Sequence, residues 1–383
     1  MSLDDVRVLD LTRLLPGAYC SLLLADMGAD VVKVEPPGAG DYMRWYPPLV
    51  DGQSVLFNAL NRNKRSLVVN LKSEAGRDLF KAMVGGADVV VEGNRPGVME
   101  RLGLGWEVLR EINPRLVMCA ITGYGQTGPW AQRPGHDLNY MAIAGALSLN
   151  ARAGEAPHPL AVQVADIGGG GQGAALAILA ALLEVARGGP GRFLDVSMTD
   201  GAFTWLAMPL SQVHAEGRTI PRGQHRLTGK YACYDVYRCA DGRFMSVGAL
   251  EPKFWQALCE ALGRPDLTER QYVEGEAQEQ LRAQLASLFA ARPRAEWEER
   301  LAGLEVCCEP VLELDEVARH PQIEARQLIR ESPSGVEIAP QVRFRQEWRH
   351  RDPPRLGEHT AELLAEIGVD DRRLEELRSA GAL

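Results

Sequence analysis

Positive charge is scarce in this sequence. Against 51 Asp and Glu stand 42 Lys and Arg, a formal net charge of −9 over 383 residues, and no basic tract gathers the cations. Nucleic acids and anionic membrane surfaces need a net positive partner, so general binding to either is not expected, and any anionic ligand must meet a local basic pocket. Paired C-x-x-C spacing is also missing. The seven cysteines (Cys20, Cys119, Cys233, Cys239, Cys259, Cys307, Cys308) are odd in number, a pattern of free thiols in a reducing compartment that speaks against a zinc site. Long apolar runs are absent too: the longest, Ala174 to Ala186, carries Glu184 and falls short of the roughly 20 residues a bilayer-crossing helix needs. The opening MSLDDVRVLDL has no charged stretch followed by an apolar one, and the closing RSAGAL matches no peroxisomal address, so a soluble cytoplasmic protein without a membrane or nucleic-acid partner is expected.

What is present is enough chain for two or three domains with a sizeable core, at roughly 100 to 200 residues per domain. Short apolar runs alternate with helical patterns through the first two hundred residues: VRVLDL (6–11), ADVVKVE (29–35), RSLVVNL (65–71), ADVVVE (87–92) and RLVMCAI (115–121). Continuous apolar strands alternating with helices indicate an α/β domain around a mostly parallel sheet. PGAYCSLLLADMG (16–28) has Pro at a helix start and closes on Gly, and Ser73 precedes the helical run AGRDLFKAMV. The polar, basic GRTIPRGQHRLTGK (217–230) reads as a linker. Beyond it, YACYDVYRC (231–239) and RFMSVGAL (243–250) are strand candidates, followed by helical PKFWQALCEALG and AQEQLRAQLASLFA, a small α+β domain. The tail adds a strand candidate, QVRFR (341–345), then two helical runs, EHTAELLAEIG and DRRLEELRSAG.

Several residues could carry chemistry. Gly168, Gly170 and Gly173 in GGGGQG match the dinucleotide-binding G-x-G-x-x-G, follow a strand-like LAVQVAD, and have Asp195 further on. Two details weaken that reading: the motif lies mid-chain instead of after the first strand, and Asp195 sits inside FLDVSM. Close backbone packing at a helix start is the plainer explanation. In RPGHDLNYMAIAG, Asp137 is a candidate N-cap, leaving His136 just outside a helix beside free backbone N–H groups, a place that suits an oxyanion; a simple loop histidine is the competing reading. Asp166 precedes side-chain-free residues and is open to a bulky ligand, or else caps the glycine helix. Glu251 before Pro252 is a candidate of the same kind, or an ordinary first-turn glutamate.

Together, RVLDLTRLLPGAYCSLLLADMGADVVKVEPPG, KRSLVVNLKSEAG, NRPGVMERLGLG, NPRLVMCAITGYGQTGPW, GHDLNYMAIAG and VADIGGG resemble, in that order and over nearly the whole chain, the family III coenzyme A transferase and α-methylacyl-CoA racemase superfamily. The resemblance implies a Rossmann-like large α/β CoA-binding domain built from both chain ends (1–200 and 336–383), linkers over 201–230 and 307–335, and a small α+β domain over 231–306. It also implies an interlocked homodimer, with Glu251 supplied by the partner chain. The transferase branch has an aspartate nucleophile at the position of Asp166. The racemase branch adds a histidine and a glutamate, matched here by His136 and Glu251, and is the closer match.

The residue types suit racemisation. Inverting a carbon next to a thioester carbonyl requires two acid/base groups flanking it, here His136 and Asp166, with an enolate between and backbone donors near Asp137 for its oxygen. A CoA transferase would instead use Asp166 to attack the thioester, and a non-catalytic CoA-binding protein is a third reading. No cofactor or metal is implied beyond the CoA of an acyl-CoA substrate. Its nucleotide would meet Lys72, Arg95 and Arg101, the backbone of Val69, Asn70 and Leu71, and the loop residues Gly93, Asn94 and Gly135. Many relatives carry Arg where this sequence has Pro36, so a phosphate contact is either missing there or supplied from elsewhere, with Arg44 and Arg62 as candidates. Tyr140, Met141, Met198, Trp205 and Met208 are candidates for lining the acyl pocket, although core packing explains such residues more often.

Overall fold

The computed structural model describes residues 3–332, 335–341 and 350–383. Its first strands are β1 (Arg7–Asp10) and β2 (Asp30–Glu35), followed by a small hairpin of β3 (Leu49–Val50) and β4 (Gln53–Ser54). The hairpin turns at Asp51 and Gly52, both with positive φ (49° and 75°), the combination for which Asp-Gly is favoured. Then come β5 (Lys64–Val68), β6 (Val89–Glu92), β7 (Val117–Thr122) and β8 (Arg192–Ser197). The five apolar runs all form strands. The sixth main strand, β8, lay outside them because it is a half-exposed edge interrupted by Asp195.

Six of these strands form one sheet in the order β5-β2-β1-β6-β7-β8, every pair parallel. Counted along the chain, the order is 3-2-1-4-5-6, the doubly wound arrangement. Between β1 and β6 the winding reverses direction, and the crevice outside the carboxyl ends of the strands at that point is where such folds bind ligands. One face of the sheet is covered by a core that includes Leu9, Val32, Leu67, Phe80, Leu109 and Met118, joined by Leu363, Leu364 and Leu377 from the C-terminal helices Thr360–Glu366 and Asp371–Ser379. Arg65 ties the first of those helices to the sheet, bonding Glu362 and Glu366 on the helix and Asp30 in β2.

The chain divides into two compact units. The first comprises residues up to Ala144, Leu160–Trp205, and from Glu324 onward; the second comprises Gly145–Pro159 and Leu206–Ile323. In the second, β9 (Tyr234–Arg238), β10 (Phe244–Gly248) and β11 (Cys308–Pro310) form an antiparallel sheet in the order β11-β10-β9. It packs with helices Pro252–Ala261, Glu276–Phe289 and Arg294–Leu301 around Trp255, Leu281, Phe289 and Trp297.

Four sequence expectations need amending. Segment 201–230 is not wholly a linker, since it contains the helix Ala207–Glu216, and 307–335 contains β11 and the start of a hairpin of β12 (Ile329–Ser332) and β13 (Gly335–Ile338). LAVQVAD is a loop, not a strand; the wide π-helical turns of Ala165–Gln172 begin at its end. These run straight into the helix Gly173–Ala186, so the apolar helix is 22 residues long, with mean hydropathy 1.5, and does reach membrane-crossing length. Its glycine start hid that length, and Ala165, Ala174, Ala175, Ile178 and Ala181 are buried in the protein. Of QVRFR, residues 342–345 lie outside the described residues. All seven cysteines are free thiols, with Cys307 exposed and the rest buried.

Candidate active site

At the switch point a cavity of about 720 Å3 opens. Its walls are the loops that follow β1 (Leu11 to Leu14, Pro16, Gly17), β6 (Gly93 to Pro96) and β7 (Gly123), closed by Tyr42, Arg133 to His136, Asn139, Tyr140, Asp166 and Met198. All of these belong to the first unit.

His136 is itself the capping residue of the helix Asp137–Ala144, which corrects the expectation that Asp137 fills that position. Its carbonyl accepts from the N–H groups of Asn139 (2.8 Å) and Tyr140 (3.2 Å), and its own N–H donates to Asn139 Oδ1 (3.1 Å). The imidazole is exposed, and no described residue hydrogen-bonds it. The first N–H groups of this helix, at Asp137 and Leu138, have no acceptor within the helix.

Asp137 caps a different helix. Its Oδ1 accepts from Ala165 N–H (2.7 Å) and Asp166 N–H (3.0 Å), fastening the loop of His136 to the helical turn of Asp166. The same carboxylate repels charge on its neighbour: burial first, and then Asp137, push the Asp166 carboxyl up to about 7. A first-turn carboxylate is ordinarily stabilised by the helix dipole, so desolvation outweighs the dipole here.

The glycines after Asp166 serve packing. A Cβ on Gly169 would stand 2.8 Å from the Met198 carbonyl oxygen, and one on Gly170 would stand 2.7 Å from Met198 Cγ. With no strand before it and buried backbone at Gly169 to Gly171, the run offers no cradle for a dinucleotide. The wider turn it permits, a form frequent at functional sites, puts Asp166 on the cavity wall.

Tyr140 holds the approach to His136: its hydroxyl donates to the Gly135 carbonyl (2.5 Å). Its ring lies 2.4 Å from where a Cβ on Gly123 would be and 2.6 Å from that of Gly135, so both positions must lack a side chain. Tyr124 meets it edge-on, and Arg133 stacks 4.0 Å over Trp130. Below the floor, Asp10, Lys33 and Lys64 are fully buried. Asp10 accepts from Thr12 N–H (2.9 Å) and Oγ1 (2.5 Å), and Lys33 donates to the Thr12 carbonyl (3.1 Å), so this ionic cluster sets the loop that carries Arg13. Burial alone would push the pKa of Asp10 up, but the two lysines hold it below its ordinary value; Lys64, by burial and the charge of Lys33, falls to about 8.

Of the residues singled out from sequence, the cavity brings together His136, Asp166, Gly93, Asn94, Arg95 and Gly135, with Tyr140 and Met198 from the acyl-pocket candidates. Asn94 is held by Glu92 Oε2, which accepts from its backbone N–H (2.6 Å) and side-chain amide (3.0 Å); burial raises Glu92 to about 7. Val69, Asn70, Leu71, Lys72 and Arg101 lie outside the walls. Val69 N–H donates to the Glu35 carbonyl (2.9 Å), Asn70 binds the C-terminal Gly381 and Ala382 carbonyls, and the Lys72 and Arg101 side chains are exposed. Glu251 is in the second unit, exposed at the cap of Pro252–Ala261, and contributes nothing to these walls. Neither arginine suggested to replace a contact at Pro36 is available: Arg44 pairs bidentately with Glu35 (2.7 and 2.7 Å) and Arg62 with Asp26 (2.5 and 3.2 Å). Arg13, Arg133, Thr12, Tyr42 and Asn139 were missed. DLTRLLPG, directly after the first strand of a doubly wound sheet, was the available signal for the first of them.

Comparison with known proteins agrees with this architecture. Residues 3–360 match the model of CoA-transferase family III. The chain is 35% identical over 395 residues to α-methylacyl-CoA racemase of Homo sapiens, covering 99% of this chain and 97% of that protein. It is 33% identical over 395 residues to succinyl-CoA:glutarate CoA-transferase of Homo sapiens, covering 100% and 90%. A solved CAIB/BAIF family protein from Brucella suis superposes with TM-score 0.84 at 31% identity, covering 95% of this chain and 99% of that one.

Proposed function

Since this chain belongs to CoA-transferase family III, we propose that it inverts the α-carbon of 2-methyl-branched acyl-CoA thioesters. The observation that carries this reading is that His136 and Asp166 line the same cavity, with Asp166 raised to about 7. A carboxyl near neutrality can both take and return a proton, which is what an acid/base pair shared by two enantiomers requires. One of the two groups removes the α-proton, the bond electrons move onto the thioester carbonyl as an enolate, and the other group returns a proton to the opposite face. The open N–H groups at Asp137 and Leu138 are donors for the enolate oxygen. Arg13, Arg95 and Arg133 give an acidic chain the local positive rim that a CoA thioester needs. Glu251 then acts on the His136 imidazole from a second copy of the chain in a homodimer; a fully active monomer by size measurement would rule that out.

The test is α-proton exchange in deuterated water with each enantiomer of a branched acyl-CoA, run beside an assay for CoA exchange between two carboxylic acids. Racemisation predicts deuterium at the α-carbon from both enantiomers. The second reading, a CoA transferase in which Asp166 attacks the thioester, draws on the open glycine turn beside that carboxylate and on transferase relatives of similar identity. It predicts acid-dependent CoA exchange without α-deuteration, and a covalent adduct at Asp166 trapped by hydroxylamine.

A further inference from the structure

We infer that Tyr140 and Asn139 are positioning residues for proton transfer at His136, because between them they hold both peptide planes that flank it. The inference rests on the racemase reading above and adds what aims the histidine. The His136 imidazole is exposed and bonded to no described residue. Within this chain, its aim comes from the backbone that carries it.

A planar peptide is fixed once its carbonyl and its N–H are both held. The plane before His136 ends in the Gly135 carbonyl, which accepts from the Tyr140 hydroxyl (2.5 Å), and in the His136 N–H, which donates to Asn139 Oδ1 (3.1 Å). The plane after it begins with the His136 carbonyl, which accepts from the N–H groups of Asn139 (2.8 Å) and Tyr140 (3.2 Å). Its other end is the Asp137 N–H, one of the donors assigned above to the enolate oxygen. The two planes meet at a single Cα, so holding both sets φ and ψ of His136 and with them the direction of its side chain. The second plane is held by backbone groups that any helix supplies. The first depends on two side chains.

Tyr140 can hold its carbonyl because its own ring is boxed in. The residue is 6% exposed, Tyr124 meets its ring edge-on with centroids 5.2 Å apart, and Trp130 meets Tyr124 in the same way at 5.4 Å. Gly123 and Gly135 close the other sides, where added Cβ atoms would stand 2.4 Å and 2.6 Å from the ring. A phenol has one proton to donate, and this one is given to Gly135. Burial first, and then the charge of Asp166, push the phenol above its ordinary value, so the proton stays on. None is left for Asp166, whose carboxylate accepts no hydrogen bond among the described residues. The contact therefore bears on one acid/base group and spares the other. A residue that only filled the wall would serve equally well as phenylalanine.

The test uses Tyr140→Phe, which keeps the buried ring, and Asn139→Ala, at an exposed position. Each variant is incubated in deuterated water with each enantiomer of a branched acyl-CoA, and deuterium is measured in the recovered starting enantiomer, with melting temperatures alongside. Turnover alone would not separate the two groups, because the equilibrium between the enantiomers fixes the ratio of their kcat/KM values in every variant. Exchange with retention reports each base by itself, and His136→Ala and Asp166→Asn identify the enantiomer each one serves. Tyr140→Phe is expected to slow exchange of the His136 enantiomer about tenfold, short of the roughly 100-fold that a misplacement of about 1 Å can cost. KM and exchange of the Asp166 enantiomer should change little, and Asn139→Ala should follow the same pattern. Equal loss for both enantiomers, or loss for neither, in Tyr140→Phe overturns the role of Tyr140 whatever its melting temperature; the same results in Asn139→Ala overturn that of Asn139. If the unaltered protein exchanges no α-proton from either enantiomer, the racemase reading falls and this assignment with it; if it does exchange and the variants fail to discriminate, only the assignment falls.

Discussion

Asp137 Oδ1 accepts the backbone N–H groups of both Ala165 (2.7 Å) and Asp166 (3.0 Å). One carboxylate thus caps the helix that carries one proposed acid/base group, one residue away from the other, His136. It also faces Asp166 as a like charge, so the contact that fixes the geometry sets the acidity as well.

Asp137→Asn keeps a capping oxygen and removes the charge, whereas Asp137→Ala removes both. Asparagine is expected to melt close to the unaltered protein, and alanine to lose about 1 kcal/mol or more, the usual worth of such a cap. In both, the Asp166 carboxyl becomes more acidic, because the repulsion from Asp137 is gone. A pH–rate profile whose acidic limb stays in place in Asp137→Asn would contradict this.

Asp166 must be ionised to remove a proton. For the enantiomer it deprotonates, kcat/KM should therefore rise as pH passes through about 7, and Asp166→Asn should cost at least about 100-fold. Stability runs the other way. A carboxyl whose folded-state pKa lies above its unfolded value favours folding while protonated, and that contribution is lost as pH rises from its ordinary value of 3.8 toward about 7. Asp166→Asn should then raise the melting temperature at pH 8, by a gain of about 1 kcal/mol after discounting for partial exposure. The gain should shrink progressively toward pH 4, as differential scanning calorimetry at several pH values would register.

His136→Ala separates the two chemistries. Under racemisation, α-deuteration should fall by about 100-fold or more, while CoA affinity by calorimetry should change far less, since the lost group acts on the α-proton. Retained exchange at the unaltered rate would remove His136 from the acid/base pair.

Gly169→Ala should be far more damaging than Gly173→Ala. The first Cβ meets the Met198 carbonyl at 2.8 Å and the Ala202 N at 3.1 Å, both backbone, whereas the second finds nothing nearer than 3.7 Å. Overpacking of this kind typically costs about 1–3 kcal/mol. Because the affected turn carries Asp166, activity should fall with stability in Gly169→Ala, and a comparison of melting temperatures and turnover for the two variants checks it.

The sequence by itself determined the strands that are buried on both faces. VRVLDL, ADVVKVE and ADVVVE are apolar enough that only the interior of a parallel sheet could hold them, and Ser73 caps its helix as its position suggests, accepting from Gly76 N–H (3.0 Å). Local chemistry likewise marked His136 and Asp166, and the glycine run as a place of close backbone approach. The half-exposed edge strand β8 and the helix Ala207–Glu216 escaped because neither carries a continuous apolar pattern. Only the tertiary structure decided the strand order, and with it the crevice between the ends of β1 and β6, because pairing between segments tens of residues apart leaves no local period in the chain. Only it decided that Asp137 caps a helix 28 residues away, that Arg44 and Arg62 are already paired, and that burial lifts Asp166 to about 7. Those properties depend on which groups share a low-dielectric space, and side-chain identity alone does not carry that information.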